Sequence, residues 1–496
     1  MLKKALIYIY RNSPYIVAGI ITTLYITLAL LRHYHFKTYG YDLAIYDQTV
    51  WLYSRFIYPF VTVEYKFALL NHFSPSLALF APLYWIWSDP QVLLIAQAVM
   101  IGASAIPINK LAQKLKLPTY LRTVLVISYL TFYGYQFSVD FDVHSVVFGT
   151  TFIPWLILAI ENREYKKAAI LMAIMLGMKE SFPVITFAIG IIYFLRGRRK
   201  VGMIISALSI AYMITVLKIL FPLMESFTNE YYRFSSSNPS SITDIFSSLI
   251  STPDKKEVWT LSTLWFALLP LLSPVTLIAA VADTAFYFIL GNNHEETGRI
   301  YYQYRSALAP LLTWATMYGI YNVKQAKIKV PYGIPAVMLC ASCIYFQYTY
   351  DLPLNSLTRN TWYTWPQYIA DNKAVLKKLP HDVPIAAQDS LLPHVQQRKE
   401  MHILWAYKLN DGYRKFEKQE SPCGEEYCFW LSYHRKVEYL ITDTHQGQNA
   451  TTLLLDNEKK LDEGLANMQK AGFISLVSSQ GKAALWKVNK YPEDTI

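Results

Sequence analysis

The sequence RHYHFKTYGYDLAIYDQTVW, residues 32–51, directly follows an apolar segment, residues 14–31, that is long enough to cross a bilayer. A loop in this position lies at the membrane surface. It nevertheless carries Asp42 and Asp47 among many aromatic side chains, and His72 follows downstream. Acids on an aromatic surface next to a membrane indicate a site for an amphiphilic ligand, and Asp42 is the leading catalytic candidate.

The composition indicates a membrane protein with several helical spans. The chain has 496 residues, of which 53% are hydrophobic and 15% aromatic, and apolar runs recur from residue 14 to residue 350. The net charge of +11 could suggest a nucleic-acid partner. The Lys and Arg residues cluster in short loops between the apolar runs, however, and the positive-inside rule explains that distribution better. We therefore expect no nucleic-acid partner.

The apolar runs predict about eleven crossings of the cytoplasmic (plasma) membrane, with the N-terminus inside and the C-terminus outside. A shorter apolar segment, residues 74–88, is predicted to lie on the outer face as an interfacial helix. The predicted spans are residues 14–31, 91–110, 120–137, 145–160, 167–180, 182–196, 201–222, 257–272, 273–290, 306–322 and 331–350.

The composition changes near residue 351 and predicts two domains: a transmembrane domain, residues 1–350, and a small extracytoplasmic α/β domain, residues 351–496. Cys423 and Cys428 lie in this tail, where export would allow a disulfide. Four segments read as strands and two as helices. The strands are PIAAQ, MHIL, VEYLITD and the hairpin FISLVSSQGKAALWKV, and the helices are residues 391–397 and 457–471.

The predicted topology gathers many ionisable residues at the outer ends of the spans. Charges close to the hydrocarbon usually line a polar cavity, so this distribution predicts one outward-facing site. The residues are Asp42, Asp47, His72, Asp140, Asp142, His144, Lys179, Glu180, Asp283, Arg299 and Arg305.

Asp42 has two interpretations. If residues 43–53 form a helix, Asp42 stands at its N-terminus, where an Asp can cap free backbone N–H groups. Alternatively it is a general base that takes the proton of an acceptor hydroxyl. Asp47, also a candidate substrate contact, is interpreted as a structural or supporting residue. His72, in NHFSP, is a candidate substrate contact.

The segment VDFDVH places Asp140, Asp142 and His144 at alternate positions. If it is extended, the three side chains project to one side and can hold Mg²⁺ or Mn²⁺, or a hydroxylated ligand. The alternative is a polar turn between helices, in which the carboxylates are simply solvated.

Basic residues next to the later spans are candidates for contact with a phosphate. Lys179 and Glu180 either form a local ion pair or bring the lysine to a lipid phosphate. Arg299 and Arg305 flank Tyr302 and Tyr304, and arginine binds phosphate through a planar fork. An anchoring belt at the interface is the alternative. We favour phosphate for at least one arginine.

Together the segments YDLAIYDQTVW, HFSPSLALFAPLY, LLIAQAVMIGASAIPINKLA, DFDVH, KES and YYQYRSALAP resemble, in this order, a family of predicted membrane proteins within the GT-C glycosyltransferase superfamily. The resemblance implies an outward-facing transferase that moves a sugar from a polyprenyl-phosphate donor to a glycan, lipid or protein acceptor. It implies that Asp42 is the catalytic base, that the reaction inverts the sugar, and that Arg299, Arg305 or Lys179 stabilises the leaving phosphate. It also implies juxtamembrane helices after the first outer loop.

Two features depart from the pattern of the superfamily. Leu43 follows Asp42 where better-known relatives have an Asp-Glu doublet, and KES ends in Ser181 where this family often has KED. Two other classes of function stay open. One is a lipid or solute transporter with the same outward acids, and the other is a non-catalytic membrane subunit whose exported tail binds a partner.

Overall fold

The computed structural model describes residues 2–228, 241–290, 295–395, 397–404, 437–445 and 458–490. The chain divides into two compact units, each assembled from separate segments. The first unit consists of Met1–Ala29, Leu69–Leu77 and Leu94–Arg359, and the second of Leu30–Ala68, Ala78–Leu93 and Asn360–Ile496. Cys423 and Cys428 lie outside the described residues.

Most of the chain is helical. The helices are α1 (Leu2–Tyr34), α2 (Ile45–Ser54), α3 (Ala68–Asn71), α4 (Leu83–Ile86), α5 (Gln91–Ala103), α6 (Ala105–Lys114), α7 (Thr119–Leu130), α8 (Tyr133–Asp140), α9 (Ser145–Glu161), α10 (Tyr165–Leu176), α11 (Phe182–Leu195), α12 (Arg199–Thr215), α13 (Phe221–Thr228), α14 (Ile242–Ser248), α15 (Pro253–Trp265), α16 (Pro274–Leu290), α17 (Leu308–Gln325), α18 (Gly333–Thr349), α19 (Gln367–Leu376) and α20 (Glu458–Lys470). The strands are β1 (Phe60–Val61), β2 (Lys66–Phe67), β3 (Ile385–Ala387), β4 (Met401–Ile403), β5 (Tyr439–Asp443), β6 (Ile474–Gln480) and β7 (Ala483–Val488).

Three helical segments of the described chain are long and apolar enough to cross a membrane, judged by length and composition: Lys3–Tyr34, Gln91–Lys114 and Arg199–Thr228. Shorter apolar helices include α7, α9, α11 and α18. These helices fit the predicted helical membrane domain. The number of crossings stays a prediction.

Close helix packing in the first unit depends on small residues. Helices α11 and α12 approach so closely that a Cβ added at Gly202 would lie 2.5 Å from the carbonyl oxygen of Gly190. Small residues at such contacts let helix backbones pack tightly in apolar surroundings. The pair therefore explains why two glycines occur in otherwise apolar helices.

Several predicted helices have different boundaries. The predicted span 257–272 ends early, because α15 stops at Trp265 and the backbone turns at Ala267 and Leu268, which both have positive φ values (52° and 60°). The predicted interfacial helix 74–88 is two pieces, a 3₁₀ turn at Pro75–Phe80 and the short helix α4. The second piece starts directly after Pro82, whose ring cannot continue the preceding turn.

The second unit contains the predicted small C-terminal sheet. Its five strands lie in the order β4-β3-β5-β7-β6, with β3 parallel to β4 and β5, and β7 antiparallel to β5 and β6. The sheet is covered on both faces. Ala386, Leu440 and Trp486 pack with Leu461 and Leu465 of α20 on one side.

The other face of the sheet packs against α19 and against the first loop. Ile385, Ile441 and Leu485 share one core with Ala44 and Val61 of the loop. The loop was predicted to belong to the domain of residues 1–350. It falls in the second unit instead, because its apolar side chains complete the core of the sheet.

Gln48 of α2 fixes the loop to the edge of this sheet. Its Oε1 accepts a hydrogen bond from the backbone N–H of Thr62 (2.9 Å), and its Nε2 donates to Thr62 Oγ1 (2.9 Å) and to the carbonyl oxygen of Lys399 (3.1 Å). Thr62 Oγ1 in turn donates to the carbonyl oxygen of Met401 in β4 (2.8 Å). One buried amide thus connects two parts of the chain that are far apart in sequence.

We expect Gln48→Ala to loosen this connection. Removing the amide leaves buried backbone groups without partners, which costs about 2 kcal/mol of the free energy of local unfolding. Hydrogen exchange of the full chain, followed by mass spectrometry, should show faster exchange in α2 and β4. Gln469→Ala, on the exposed side of α20, is the control and should leave these amides unchanged. Equal exchange in both variants would contradict the role given to Gln48.

Candidate functional site

Asp42 lies in a π-helical turn, Gly40–Ala44, that runs directly into α2. Tyr39 precedes the turn with extended backbone (φ −118°, ψ 147°) and occupies the N-cap position. Asp42 is therefore inside the first turn and is not the cap, and its side chain is partly buried. A carboxylate in the first turn of a helix interacts favourably with the helix dipole.

Asp389, which follows β3, fixes this turn from the C-terminal part of the chain. Its main-chain oxygen accepts a hydrogen bond from Gly40 N (2.7 Å), and its Oδ1 accepts one from Tyr41 N (2.9 Å). A Cβ added at Gly40 would lie 2.9 Å from Leu392 Cδ2 and 3.1 Å from Asp389 Oδ1, so a larger residue here would require these side chains to shift. Burial raises the pKa of Asp389 to about 7, and the nearby charge of Asp42 also raises it. The second unit thus brings two carboxyl groups together.

Asp47 is buried in the same unit, where its carboxyl group is hydrogen-bonded to other side chains of the fold. Its Oδ1 accepts hydrogen bonds from Tyr84 Oη (2.6 Å) and from Gln397 Nε2 (3.2 Å). Burial raises the pKa of Asp47 to about 7, although both hydrogen bonds oppose the shift. These contacts tie α2 to α4 and to the segment before β4.

In the first unit, Glu180 is buried in the turn between α10 and α11. Its Oε1 lies 2.9 Å from His72 Nδ1, and its Oε2 accepts a hydrogen bond from Phe73 N (3.0 Å). Through these two contacts Glu180 holds the His72 segment against this turn.

Lys179 connects this turn to a group of tyrosines. Its Nζ lies 5.6 Å from the ring centroid of Tyr304, a cation–π arrangement. The Tyr304 ring is 5.0 Å from the ring of Tyr287 and 6.5 Å from that of Tyr302. The hydroxyl of Tyr287 lies 3.5 Å from Ser181 Oγ.

Arg305 is the most deeply buried cation of this group, with 0% of its surface exposed. Its Nη2 donates to the carbonyl oxygen of Thr297, and its guanidinium lies over the rings of Tyr287 (5.5 Å) and Phe288 (5.2 Å). Its Nε and Nη1 are buried without a hydrogen-bond partner. A buried donor without a partner is costly, so two such groups on one guanidinium indicate a ligand-binding position.

The segment before α9 contacts the same tyrosines. The ring of Phe141 lies 5.3 Å from the ring of Tyr302 and stacks on His144 at 5.6 Å. Gln97 of α5 holds this segment, because its Nε2 donates to the carbonyl oxygen of Asp142 (2.7 Å) and its Oε1 accepts from His144 N (3.1 Å).

The segment 140–144 is not extended, whereas the prediction of a Mg²⁺ or Mn²⁺ site requires an extended backbone here. Asp140 is the last residue of α8, and Asp142 has a left-handed backbone with φ of 65°. Within the described ranges, no group of three or more His, Cys, Asp or Glu side chains is arranged to hold a metal ion. Asp140, Asp142 and His144 therefore do not fit together as a ligand set, and a divalent cation stays a prediction from sequence.

Arg299 stands apart from the buried group. Its Nε lies 3.2 Å from Asp254 Oδ2, and both side chains are exposed to solvent. We define the basic–aromatic cluster by residues that are all in the first unit: His72, Lys179, Glu180, Tyr287, Tyr302, Tyr304 and Arg305. Six of these seven were predicted from sequence.

Three contributors to these contacts are not predicted from the sequence. Tyr287 lies in the apolar run AFYFIL and gave no signal. Gln97 is a lone amide within an apolar helix, a pattern that indicates a buried polar contact. Asp389 directly follows the predicted strand PIAAQ, a position where functional side chains are often presented.

The fold and the cluster fit a helical membrane protein in which cations and tyrosines gather beside the starts of apolar helices. The chain matches a family of predicted membrane proteins, DUF2079, over residues 32–441. It belongs to this family. No curated protein matches the chain.

The setting of Asp389 predicts a pH-dependent stability. The pKa of an aspartate is about 3.9 in an unfolded chain, and burial raises that of Asp389 to about 7 in the fold. The folded protein therefore holds this proton more tightly. The stabilisation is complete below pH 3.9 or so, and it is lost as the pH rises through about 7.

We expect Asp389→Asn to reduce the loss of stability between pH 5 and pH 8, roughly by up to 1.4 kcal/mol per unit of pH. Asparagine keeps an oxygen that can accept from Tyr41 N. Asp47 titrates in the same range in both proteins, so the slope should fall but not vanish. Thermal unfolding of the full chain at several pH values measures this pH dependence of stability. Identical slopes in the wild type and the variant would refute the raised pKa of Asp389.

Proposed function

We propose that this protein is a GT-C-type membrane glycosyltransferase that takes a sugar from a polyprenyl-phosphate-linked donor. The observation that carries the proposal is the buried guanidinium of Arg305, whose Nε and Nη1 have no hydrogen-bond partner. A phosphate oxygen is the group that an arginine fork binds best. Lys179, whose Nζ lies 5.6 Å from the ring centroid of Tyr304, adds a second positive charge to the same cluster.

The position of the cations supports a lipid-linked phosphate. Lys179 lies shortly before α11, which begins at Phe182, and Arg305 lies shortly before α17, which begins at Leu308. The N-termini of helices carry partial positive charge and exposed N–H groups that favour anions. Because α11 is an apolar helix, a phosphate held at its start would leave an attached prenyl chain beside apolar surfaces. The tyrosines suit the polar side of such a ligand.

Asp42 is proposed as the general base, on the basis of the resemblance and of its setting in the second unit. Its carboxylate would take the proton from an acceptor hydroxyl. The acceptor oxygen then bonds to the anomeric carbon of the sugar, and the bond from that carbon to the phosphate oxygen breaks. Polyprenyl phosphate leaves with the electron pair, stabilised by Arg305 and Lys179. One displacement inverts the configuration of the sugar.

The acceptor is proposed to be a glycan, lipid or protein on the extracytoplasmic side, where the C-terminal domain is also proposed to lie. The other predicted contacts, His72, Asp140, Asp142, His144, Glu180, Tyr302 and Tyr304, are proposed to shape the donor site. The aspartates and His144 offer no metal ligand set, so no step of the reaction is assigned to a metal.

We expect Arg305→Lys to lower the rate of sugar transfer by about a hundredfold, because lysine cannot present the same planar fork to the phosphate. The assay supplies purified full-length protein in vesicles with a panel of radiolabelled undecaprenyl-phosphate hexoses and a cell-envelope extract as acceptor. Arg299→Lys is the matched control and should retain transfer, since Arg299 is exposed and paired with Asp254. Similar losses in both variants would speak against a specific role for Arg305.

We expect Asp42→Asn to abolish transfer while the protein still binds the donor, because asparagine cannot accept the acceptor's proton. Donor binding is measured separately by retention of the labelled lipid on the purified variant. Movement of the lipid-linked sugar across vesicles without any transfer would favour a transporter. If the wild type transfers sugar from none of the supplied donors, the glycosyltransferase proposal fails.

A further inference from the structure

The second unit contains a cavity of about 270 Å³ that differs in character from the basic–aromatic cluster. Phe36, Leu376 and Leu379 form its apolar walls, and its polar groups come from Lys373, Lys377 and His394. The described residues that line it include no carboxylate. A small cavity with two ammonium groups, an imidazole and apolar walls suits an anionic group attached to an apolar body.

His394 provides a further reason to expect a ligand. Its ring stacks on that of His33 at 4.0 Å and lies tilted against that of Phe36, also at 4.0 Å. Its Nε2 is buried and has no hydrogen-bond partner. Burial and the charges of His33 and Lys373 lower the pKa of His394 well below its usual range, so the ring is neutral. A neutral imidazole can still donate one N–H to an anionic oxygen.

The cavity lies at the end of a candidate membrane span. The apolar segment Lys3–Tyr34 ends two residues before Phe36. Around this end, Tyr34 (40%), Tyr363 (53%) and Trp365 (58%) are exposed, and the rings of Tyr34 and Trp365 lie 4.6 Å apart. Exposed tyrosines and tryptophans next to the end of a span are typical of the headgroup region of a bilayer.

Lys373 and Lys377 both line the cavity near this end of the span. Lys373 Nζ lies 3.3 Å from the ring centroid of Tyr34, and Lys377, directly after the end of α19, is exposed. Lysines at the membrane surface attract anionic lipids, and they can keep their aliphatic stems on apolar surface while the ammonium group reaches the polar layer.

We propose that this cavity binds the phosphate headgroup of an anionic membrane phospholipid and so holds the second unit at the bilayer surface. The volume accommodates a phosphate with a small attached fragment and leaves the acyl chains outside. The inference stands on residues other than those of the proposed glycosyltransfer and does not depend on it.

The test uses purified full-length protein in detergent and dioleoyl-phosphatidylglycerol as the anionic probe, with dioleoyl-phosphatidylcholine as the comparison. Binding of each lipid is measured by native mass spectrometry across a lipid titration. We expect wild-type protein to retain phosphatidylglycerol and to bind phosphatidylcholine much more weakly. The double variant Lys373→Gln/Lys377→Gln should bind phosphatidylglycerol about thirtyfold more weakly, and the single variant Lys377→Gln about fivefold.

Lys378→Gln is the matched control. Lys378 neighbours Lys377 on the chain but bonds to Ser478 Oγ (2.9 Å) and does not line the cavity, so its replacement should leave binding unchanged. Because Lys377 is exposed, its variant should fold even if the double variant does not. Equal binding of the two lipids, or unchanged phosphatidylglycerol binding in Lys377→Gln, overturns the proposal. Displacement of the lipid by millimolar inorganic phosphate also overturns it, because the ligand is then a soluble anion.

Discussion

Burial of the Arg305 guanidinium is the constraint on which the candidate site depends. A charged group without water is costly unless the protein or a ligand supplies partners for it. Thr297 supplies one carbonyl oxygen, Tyr287 and Phe288 supply aromatic faces, and Asp283 supplies a nearby opposite charge. The Nε and Nη1 atoms still have no hydrogen-bond partner. An anion that completes this coordination would recover the cost. This is why the proposed function depends on the arginine more than on any carboxylate.

In the second unit, segments that are distant in sequence together form the surroundings of Asp42. The turn that carries Asp42 is held by Asp389, 348 residues further along from Tyr41, and α2 is held by Gln48 through its bonds to Lys399 and Thr62. The first loop also completes the core of the C-terminal sheet. The tail therefore forms part of the environment of Asp42 and is more than an appended domain. Any reaction at Asp42 depends on the tail being folded.

The basic–aromatic cluster of the first unit and the cavity of the second unit are built from the same kinds of side chain. In each, cations sit next to the end of an apolar helix and lie against tyrosine rings: Lys179 beside Tyr304, and Lys373 beside Tyr34. Aromatic faces attract cations without neutralising them. Phosphate-bearing lipids present such an anion at the surface of a membrane, where these helix ends are expected.

The sequence by itself determined the local features of this protein. Apolar runs predicted most of the helices, and short apolar segments in the tail predicted the strands, because both signals depend on residues only a few positions apart. Six members of the basic–aromatic cluster were predictable as well, because charged and tyrosine side chains beside apolar runs stand out. Only the tertiary structure decided that Arg305 is buried while Arg299 pairs with Asp254 at the surface. The tertiary structure alone also showed that Tyr287 belongs to the basic–aromatic cluster and that Asp389 holds the turn of Asp42. It further showed that the first loop joins the sheet and that Asp140, Asp142 and His144 do not form one ligand set. Those outcomes depend on which distant side chains pack together, and no short stretch of sequence encodes such contacts.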